Sequence, residues 1–223
     1  MSSQPIIIKE DYERISRDSL PIPEQFKQYV KNVMIPSGLI KDRIEQLAVD
    51  IYNDYQGKDF LLTCVQKGGQ RVFSDINYNL ENLMNRNSPN GFHYEHENVH
   101  AGSYNNTESS GKVNIYIPNP EKFAGRNVLL TEDIIDSGLS MERVTKALKD
   151  LEKPPASIAV LTLLLKRLDN RSNPAGLLGV KYVGFEIPNE FVIGYGLDFE
   201  QQFRNLKPIC VINAHGIKTY EKK

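Results

Sequence analysis

The chain has 223 residues, with 27 basic and 28 acidic side chains, a formal net charge of −1 and 40% hydrophobic residues. That balance gives no support to an electrostatic grip on nucleic acid or anionic lipid, and the apolar fraction argues against a disordered chain. The longest apolar stretch, Ile158 to Leu165, contains Thr162 and falls far short of the ~20 residues needed to span a bilayer.

The first residues lack a basic region followed by a long apolar segment, so no secretory signal is expected. Cys64 and Cys210 lie in apolar runs, as reduced core thiols do, and the expected location is cytoplasmic. Residues 1–23 carry little periodicity, end on Pro21 and Pro23, and read as an extended arm on the domain. From Glu24, the spacing of Phe26, Tyr29, Val30, Val33 and Met34 predicts a helix stopped by Pro36-Ser37-Gly38. A stronger helical repeat follows through Ile40, Ile44, Leu47, Ala48, Ile51 and Tyr55. Phe60 to Val65 predicts a buried strand ending in Gln66-Lys67-Gly68-Gly69, where backbone can approach a ligand closely. Val72, Ile76, Leu80, Leu83 and Met84 predict the next helix, closed by Asn87 to Gly91. Residues 92–100 and 112–117 predict strands on either side of Ala101 to Gly111, a polar loop long enough to act as a lid. Next come a strand from Asn127 to Thr131, a loop from Glu132 to Ser140, and a helix through Met141, Val144, Leu148 and Leu151. Ile158 to Leu165, Val180 to Ile187, Phe191 to Ile193 and Ile209 to Asn213 complete the strands. Strands alternating with helices in this way predict a mainly parallel sheet covered on both faces.

In an open α/β sheet, ligands collect beyond the carboxyl ends of the strands. Three of these ends carry chemistry here: Gln66 to Gly69, Glu132 to Ser140, and Lys166. Glu132 and Asp133 arrive where a buried strand surfaces, and two adjacent acids there must be solvated, paired, or bound to a metal or hydroxyls. Asp136-Ser137-Gly138-Leu139-Ser140 brings two serine hydroxyls, backbone amides and a permissive glycine to the mouth of a helix, which suits phosphate. An isolated Asp-x-Gly would be no more than a helix cap. Two acids directly upstream shift the reading to a sugar phosphate, with acids on ribose hydroxyls and phosphate at the helix mouth. His93, His96 and His100 would share one face of a helix and could then hold zinc. On the strand predicted here, His93 points away from the other two, and no Cys motif accompanies them.

Val128 to Ser140 resembles the phosphoribosyl-pyrophosphate signature of type I phosphoribosyltransferases. Leu163 to Arg167, Val183 to Pro188, Phe191 to Asp198 and Phe203-Arg204 resemble, in order and spacing, the later motifs of the hypoxanthine-guanine phosphoribosyltransferase family. The likeness runs from about Ile35 to Gly216. It implies an α/β fold of the type I phosphoribosyltransferase kind, a mainly parallel sheet flanked by helices with a small hood subdomain. Residues 1–223 would form a single domain, with a core of about 36–180 and a hood built from the N-terminal arm and about 181–223. The implied activity is purine salvage: hypoxanthine or guanine and phosphoribosyl pyrophosphate give IMP or GMP and pyrophosphate, with Mg²⁺ as cofactor. The implied partners are these small molecules and further copies of the chain in a homodimer or homotetramer, with no nucleic acid and no membrane.

The resemblance also implies roles. Asp136 would be the catalytic acid–base group facing purine N7. Asp136, Ser137, Gly138, Leu139 and Ser140 would bind the 5′-phosphate, and Glu132 and Asp133 the ribose hydroxyls. Lys67, preceded by a non-proline cis peptide, would bind pyrophosphate together with Gly68 and Arg204. Lys166 would donate to purine O6, Phe191 would stack on the base, Val192 would read its edge, and Asp198 would lie beside it. Glu132, Asp133 and Asp198 would hold the magnesium or its waters, and Ser103 and Tyr104 match the family's flap. An ammonium can only donate, so Lys166 suits the oxygen of hypoxanthine or guanine and opposes the amino group of adenine.

Four features depart from the pattern. Leu139 stands where relatives usually carry Lys or Arg, Thr131 interrupts a usually apolar run, Gly102 precedes the flap where Lys is common, and Phe92 to Asn98 is richer in His, Tyr and Glu than that strand is expected to be. The rival reading is a nucleotide-binding protein of the same fold with lost or weak catalysis; the acid at Asp136 speaks against it.

Overall fold

Apolar runs too continuous for a strand with one wet face build the centre of the molecule. In the computed structural model, which describes residues 3–87, 92–102, 114–168 and 179–221, they become three adjacent parallel strands. These are β3 (Lys58–Gln66), β6 (Asn127–Ile135) and β7 (Ser157–Lys166). Around them lie β1 (Ile6–Ile7), β8 (Val180–Ile187), β4 (Phe92–Gly102) and β5 (Asn114–Tyr116), in the order β1-β8-β7-β6-β3-β4-β5. Among the described residues of this sheet, only the β4–β5 pair is antiparallel.

Side-chain alternation sends each strand's residues to two separate cores. Phe60, Leu62 and Leu129 pack with α2 (Ser37–Asp54) and α3 (Gln70–Asn87) on one face. Leu61, Val65, Val128 and Leu130 pack with α4 (Leu139–Lys149) on the other. Thr131 sits fully buried among them, and its hydroxyl donates to the Thr63 carbonyl at 3.1 Å, so the departure from an apolar run is satisfied across the strand pair.

A second, antiparallel sheet has the order β2-β10-β9, from Val30–Ile35, Ile209–Ile212 and Val192–Ile193. Its own core holds Val30, Val33, Ile193, Phe203 and Cys210, packed against Tyr29, Phe26 and the terminal helix α5 (Ala214–Tyr220). Cys64 and Cys210 are free and buried, and burial pushes both thiols up to about 12.

Several expectations need correction. The helix expected from Glu24 to Met34 is a four-residue α1 (Glu24–Lys27) followed by β2. Met34 and Ile35 face the large core while Val30 and Val33 face the small one, so β2 is buried on both sides and its sequence mimics a helical spacing. The expected loop from Glu132 begins later, because β6 keeps pairing with β7 through Ile134 and Ile135. The helix after it stops at Lys149, short of Leu151. The second sheet takes its strands from either side of the core rather than from everything after about 181: β8 belongs to the large sheet, and β1 of the N-terminal arm pairs with it. His93, His96 and His100 lie on β4, where His93 faces Asp59 and His96 bonds Asn77. Ser103 and Tyr104, and most of the expected lid, lie outside the described residues.

Candidate active site

The carboxyl ends of β3, β6 and β7 come together because these strands are parallel neighbours. Beyond β3 the Gln66–Lys67 peptide is cis, and Gly68 follows. A Cβ built on Gly68 would stand 2.5 Å from Asp133 Oδ2, so only glycine lets this loop lie against the acid. Asp133 is buried and Glu132 half-buried at the end of β6. Glu132 Oε1 accepts from the Asp133 amide at 3.1 Å, and Asp133 Oδ1 accepts from the Ile134 amide at 2.7 Å. Burial raises the pKa of both carboxyls, Glu132 the more strongly because Asp133 repels its charge. The hydrogen bond with the Glu132 side chain, the amide bonds and nearby Arg204 offset part of that rise for Asp133.

The chain then turns into α4. Gly138 is its N-cap, at φ +79° in the left-handed region, and provides no side-chain cap. Ser137 Oγ accepts from the Leu139 amide at 3.4 Å. Glu132, Asp133, Asp136, Ser137, Gly138 and Ser140 line a cavity of about 320 Å³ together with Lys67 and Gly68. Leu139 is the exception among the expected phosphate residues: its side chain is 58% exposed and lines neither this cavity nor the larger one beside it.

The larger cavity, about 650 Å³, shares Lys67, Gly68, Asp133 and Asp136 with the first. Lys166, the last residue of β7, is only 8% exposed and places Nζ 2.9 Å from Asp136 Oδ2. The same ammonium lies 5.9 Å from the centroid of Phe191, whose ring is 46% exposed and rests edge-on against Phe199 at 5.2 Å. Val192, buried on β9, closes that wall. Asp198 and Arg204 also line this cavity, paired at 2.6 Å, and the Arg204 guanidinium donates to the Gly196 carbonyl at 2.7 Å.

Thus the expected residues that are described converge on two joined cavities, Leu139's side chain apart. Sequence reasoning placed Gln66 in the ligand loop without giving it a role, and missed His100, Tyr116, Leu197 and Gln201, which also line the larger one. His100 and Tyr116 arrive through the β4–β5 pairing, which brings their rings to 5.9 Å, and no local motif signals that register. Among the described residues there is no cluster of three or more His, Cys, Asp or Glu fit for a metal, and no helix long and apolar enough to cross a membrane.

Residues 36–200 match the family model of the phosphoribosyl transferase domain. Phosphoribosyltransferase domain-containing protein 1 of Homo sapiens is 36% identical over 217 residues, which cover 96% of this chain and 93% of that one. The Homo sapiens hypoxanthine-guanine phosphoribosyltransferase is 34% identical, with coverage of 97% and 96%. The hypoxanthine-guanine-xanthine phosphoribosyltransferase of Plasmodium falciparum is also 34% identical, with coverage of 97% and 92%. Among solved structures, hypoxanthine-guanine phosphoribosyltransferase from Schistosoma mansoni in complex with IMP is similar at a TM-score of 0.76 and 28% identity, covering 98% of this chain and all of that one.

Proposed function

The chain belongs to the phosphoribosyltransferase family, and we propose that it is a purine-salvage enzyme making IMP or GMP and pyrophosphate from hypoxanthine or guanine and phosphoribosyl pyrophosphate. The observation that carries this is the meeting of Asp136 and Lys166 at 2.9 Å beside the exposed face of Phe191, in a cavity joined to the helix mouth. On a 6-oxopurine, N7 and O6 are neighbours on one edge. A carboxylate and an ammonium held side by side match that edge, the first taking or sharing the N7 proton and the second donating to O6. Adenine would set its amino donor against the Lys166 ammonium, donor against donor with no acceptor at that corner of the edge, which rejects it strongly.

The rest of the cavity suits an activated sugar. The amides and hydroxyls of Ser137 to Ser140 bind the 5′-phosphate, and Glu132 and Asp133 take the ribose hydroxyls. Lys67, the Gly68 amide and Arg204 receive the pyrophosphate, which gathers negative charge as the anomeric bond breaks. A divalent cation fits the acid pair: two desolvated carboxylates offer hard oxygen donors, and magnesium commonly takes one or two carboxylates with substrate phosphates completing its shell. Glu132 and Asp133 would hold it, with Asp198 beside Arg204 in the larger cavity. When bound, it supplies positive charge for the departing pyrophosphate. We place the enzyme in the cytoplasm as a homodimer or homotetramer, acting on small molecules rather than nucleic acid or membrane.

A spectrophotometric assay with phosphoribosyl pyrophosphate, Mg²⁺ and each of hypoxanthine, guanine, xanthine and adenine tests the reading. Turnover of hypoxanthine and guanine without adenine is expected. A melting shift with IMP but no turnover of any 6-oxopurine would replace the enzyme by a nucleotide-binding protein of the same fold.

A further inference from the structure

Tyr195 is a costly residue in its place. Its φ is +54°, between Gly194 at +93° and Gly196 at +99°, in a region where a bulky side chain is unfavourable and glycine is free. A tight turn could have used a third glycine. What a glycine could not supply is the ring, which is 2% exposed and whose hydroxyl donates to Asp75 Oδ2 on the second turn of α3. The Arg71 guanidinium lies 4.7 Å from the centroid of that ring, and its Nε is 4.0 Å from the same Asp75 oxygen. Burial and the Asp75 carboxylate push the phenol's pKa upward, so it remains a donor at any working pH.

The two elements joined here each carry half of the proposed pyrophosphate grip. α3 begins at Gln70, with only Gly69 between it and the Lys67–Gly68 pair. The 194–198 turn carries Asp198 and is tied to Arg204 twice, from the Gly196 amide to the Arg204 carbonyl at 3.0 Å and from the Arg204 guanidinium to the Gly196 carbonyl at 2.7 Å. A Cβ on Gly196 would stand 3.2 Å from Arg71 Cβ and 3.7 Å from the Gly68 carbonyl oxygen, so turn and loop already touch. In sequence the two halves are more than a hundred residues apart.

Building on the transferase reading above, we propose that Tyr195 and Asp75 are positioning residues: their hydrogen bond fixes the Gly194–Asp198 turn to α3, so that Arg204 and the Lys67–Gly68 amides arrive together around pyrophosphate. Neither residue meets the purine. The strain of the tyrosine backbone is retained because the ring sets the spacing between two arms of one anion site.

The test compares wild type, Tyr195→Phe, Asp75→Ala and Asp75→Asn in steady-state kinetics, with pyrophosphate binding followed by calorimetry. Tyr195→Phe and Asp75→Ala should raise the KM for phosphoribosyl pyrophosphate and the Kd for pyrophosphate by about tenfold, the usual effect of one lost buried hydrogen bond. The KM for guanine should stay within about twofold of wild type, since the Lys166 pocket is untouched. Asp75→Asn keeps an acceptor oxygen for the phenol and should recover most of the loss. Equal rises for both substrates, or unchanged pyrophosphate affinity in Tyr195→Phe, would overturn the positioning role. A wild-type chain without turnover would strike the transferase reading instead, and calorimetry with pyrophosphate would still decide this inference.

Discussion

Because the Lys166 ammonium is nearly buried and faces Asp136 at 2.9 Å, neither residue can be changed without disturbing the other. Asp136→Asn should lower kcat by about 10²–10⁴, the range for loss of a positioned acid–base group. It should leave the binding of phosphoribosyl pyrophosphate, measured by calorimetry, largely intact. Unchanged kcat would remove N7 proton acceptance from the mechanism. Lys166→Gln can accept as well as donate, so adenine should become a detectable substrate in the same assay; continued full exclusion of adenine would move base selection elsewhere. Both residues were legible in the sequence because each stands where an apolar strand runs out and in order with the other motifs; alone, the first could be a helix cap and the second a solvated charge. Tyr195 and Asp75 were not legible, since nothing in the local pattern of either announces a hydrogen bond across 120 residues. Leu139 was legible as a departure, and its side chain is exposed.

At the level of elements, β6 carries two carboxyls near its end whose pKa values are raised chiefly by burial, and this has a definite sign. The folded protein keeps protons that the unfolded chain has released, so stability falls as pH rises from the ordinary carboxylate range through the raised values. Glu132→Gln should therefore raise the midpoint of thermal unfolding of the unliganded protein near pH 8 by several degrees and change it little near pH 4, while abolishing most turnover. A lower midpoint near pH 8 would mean that the pair is stabilising as it stands. At the start of α4, Leu139→Lys should lower the KM for phosphoribosyl pyrophosphate by about two- to fivefold, as one added exposed charge can do. A cation in the first turn opposes the helix dipole and should cost about 0.3–1 kcal/mol of stability. A KM that does not fall would place the 5′-phosphate beyond the reach of that side chain. The helix α4 was readable from its apolar spacing, but the last turns of β6 were not, because acids inside a strand are expected only where something is built to use them.

On the scale of the whole molecule, the parallel sheet was readable from uninterrupted apolar runs alternating with helical repeats. The second sheet was not, since β2 is buried on both faces and is separated in sequence from β9 and β10 by the entire core. The edge of the large sheet was only half visible. The extended arm expected at the N-terminus supplies β1, two residues that cover the open side of β8. So short a strand could not hold by ladder bonds alone. Side chains fasten it: the Arg167 guanidinium donates to the Ile8 carbonyl at 2.5 Å, and Ser3 gives its amide and hydroxyl to Asp50 while accepting from Arg43 at 2.8 Å. Arg43 in turn holds the Val183 and Gly184 carbonyls of β8 at 2.7 and 3.0 Å. Removing residues 1–8 would bare the unpaired amides and carbonyls of β8 and take away one partner from each of two buried charged residues, Arg43 and Asp50. A loss of about 2 kcal/mol is expected from those bonds, which in a chain of this length lowers the midpoint of thermal unfolding by about 4–8 °C. Light scattering during the same melt should rise earlier, as exposed edges pair between molecules. A truncated chain that melts with the full one, without added scattering, would show that β8 needs no cover and that the arm serves some other purpose.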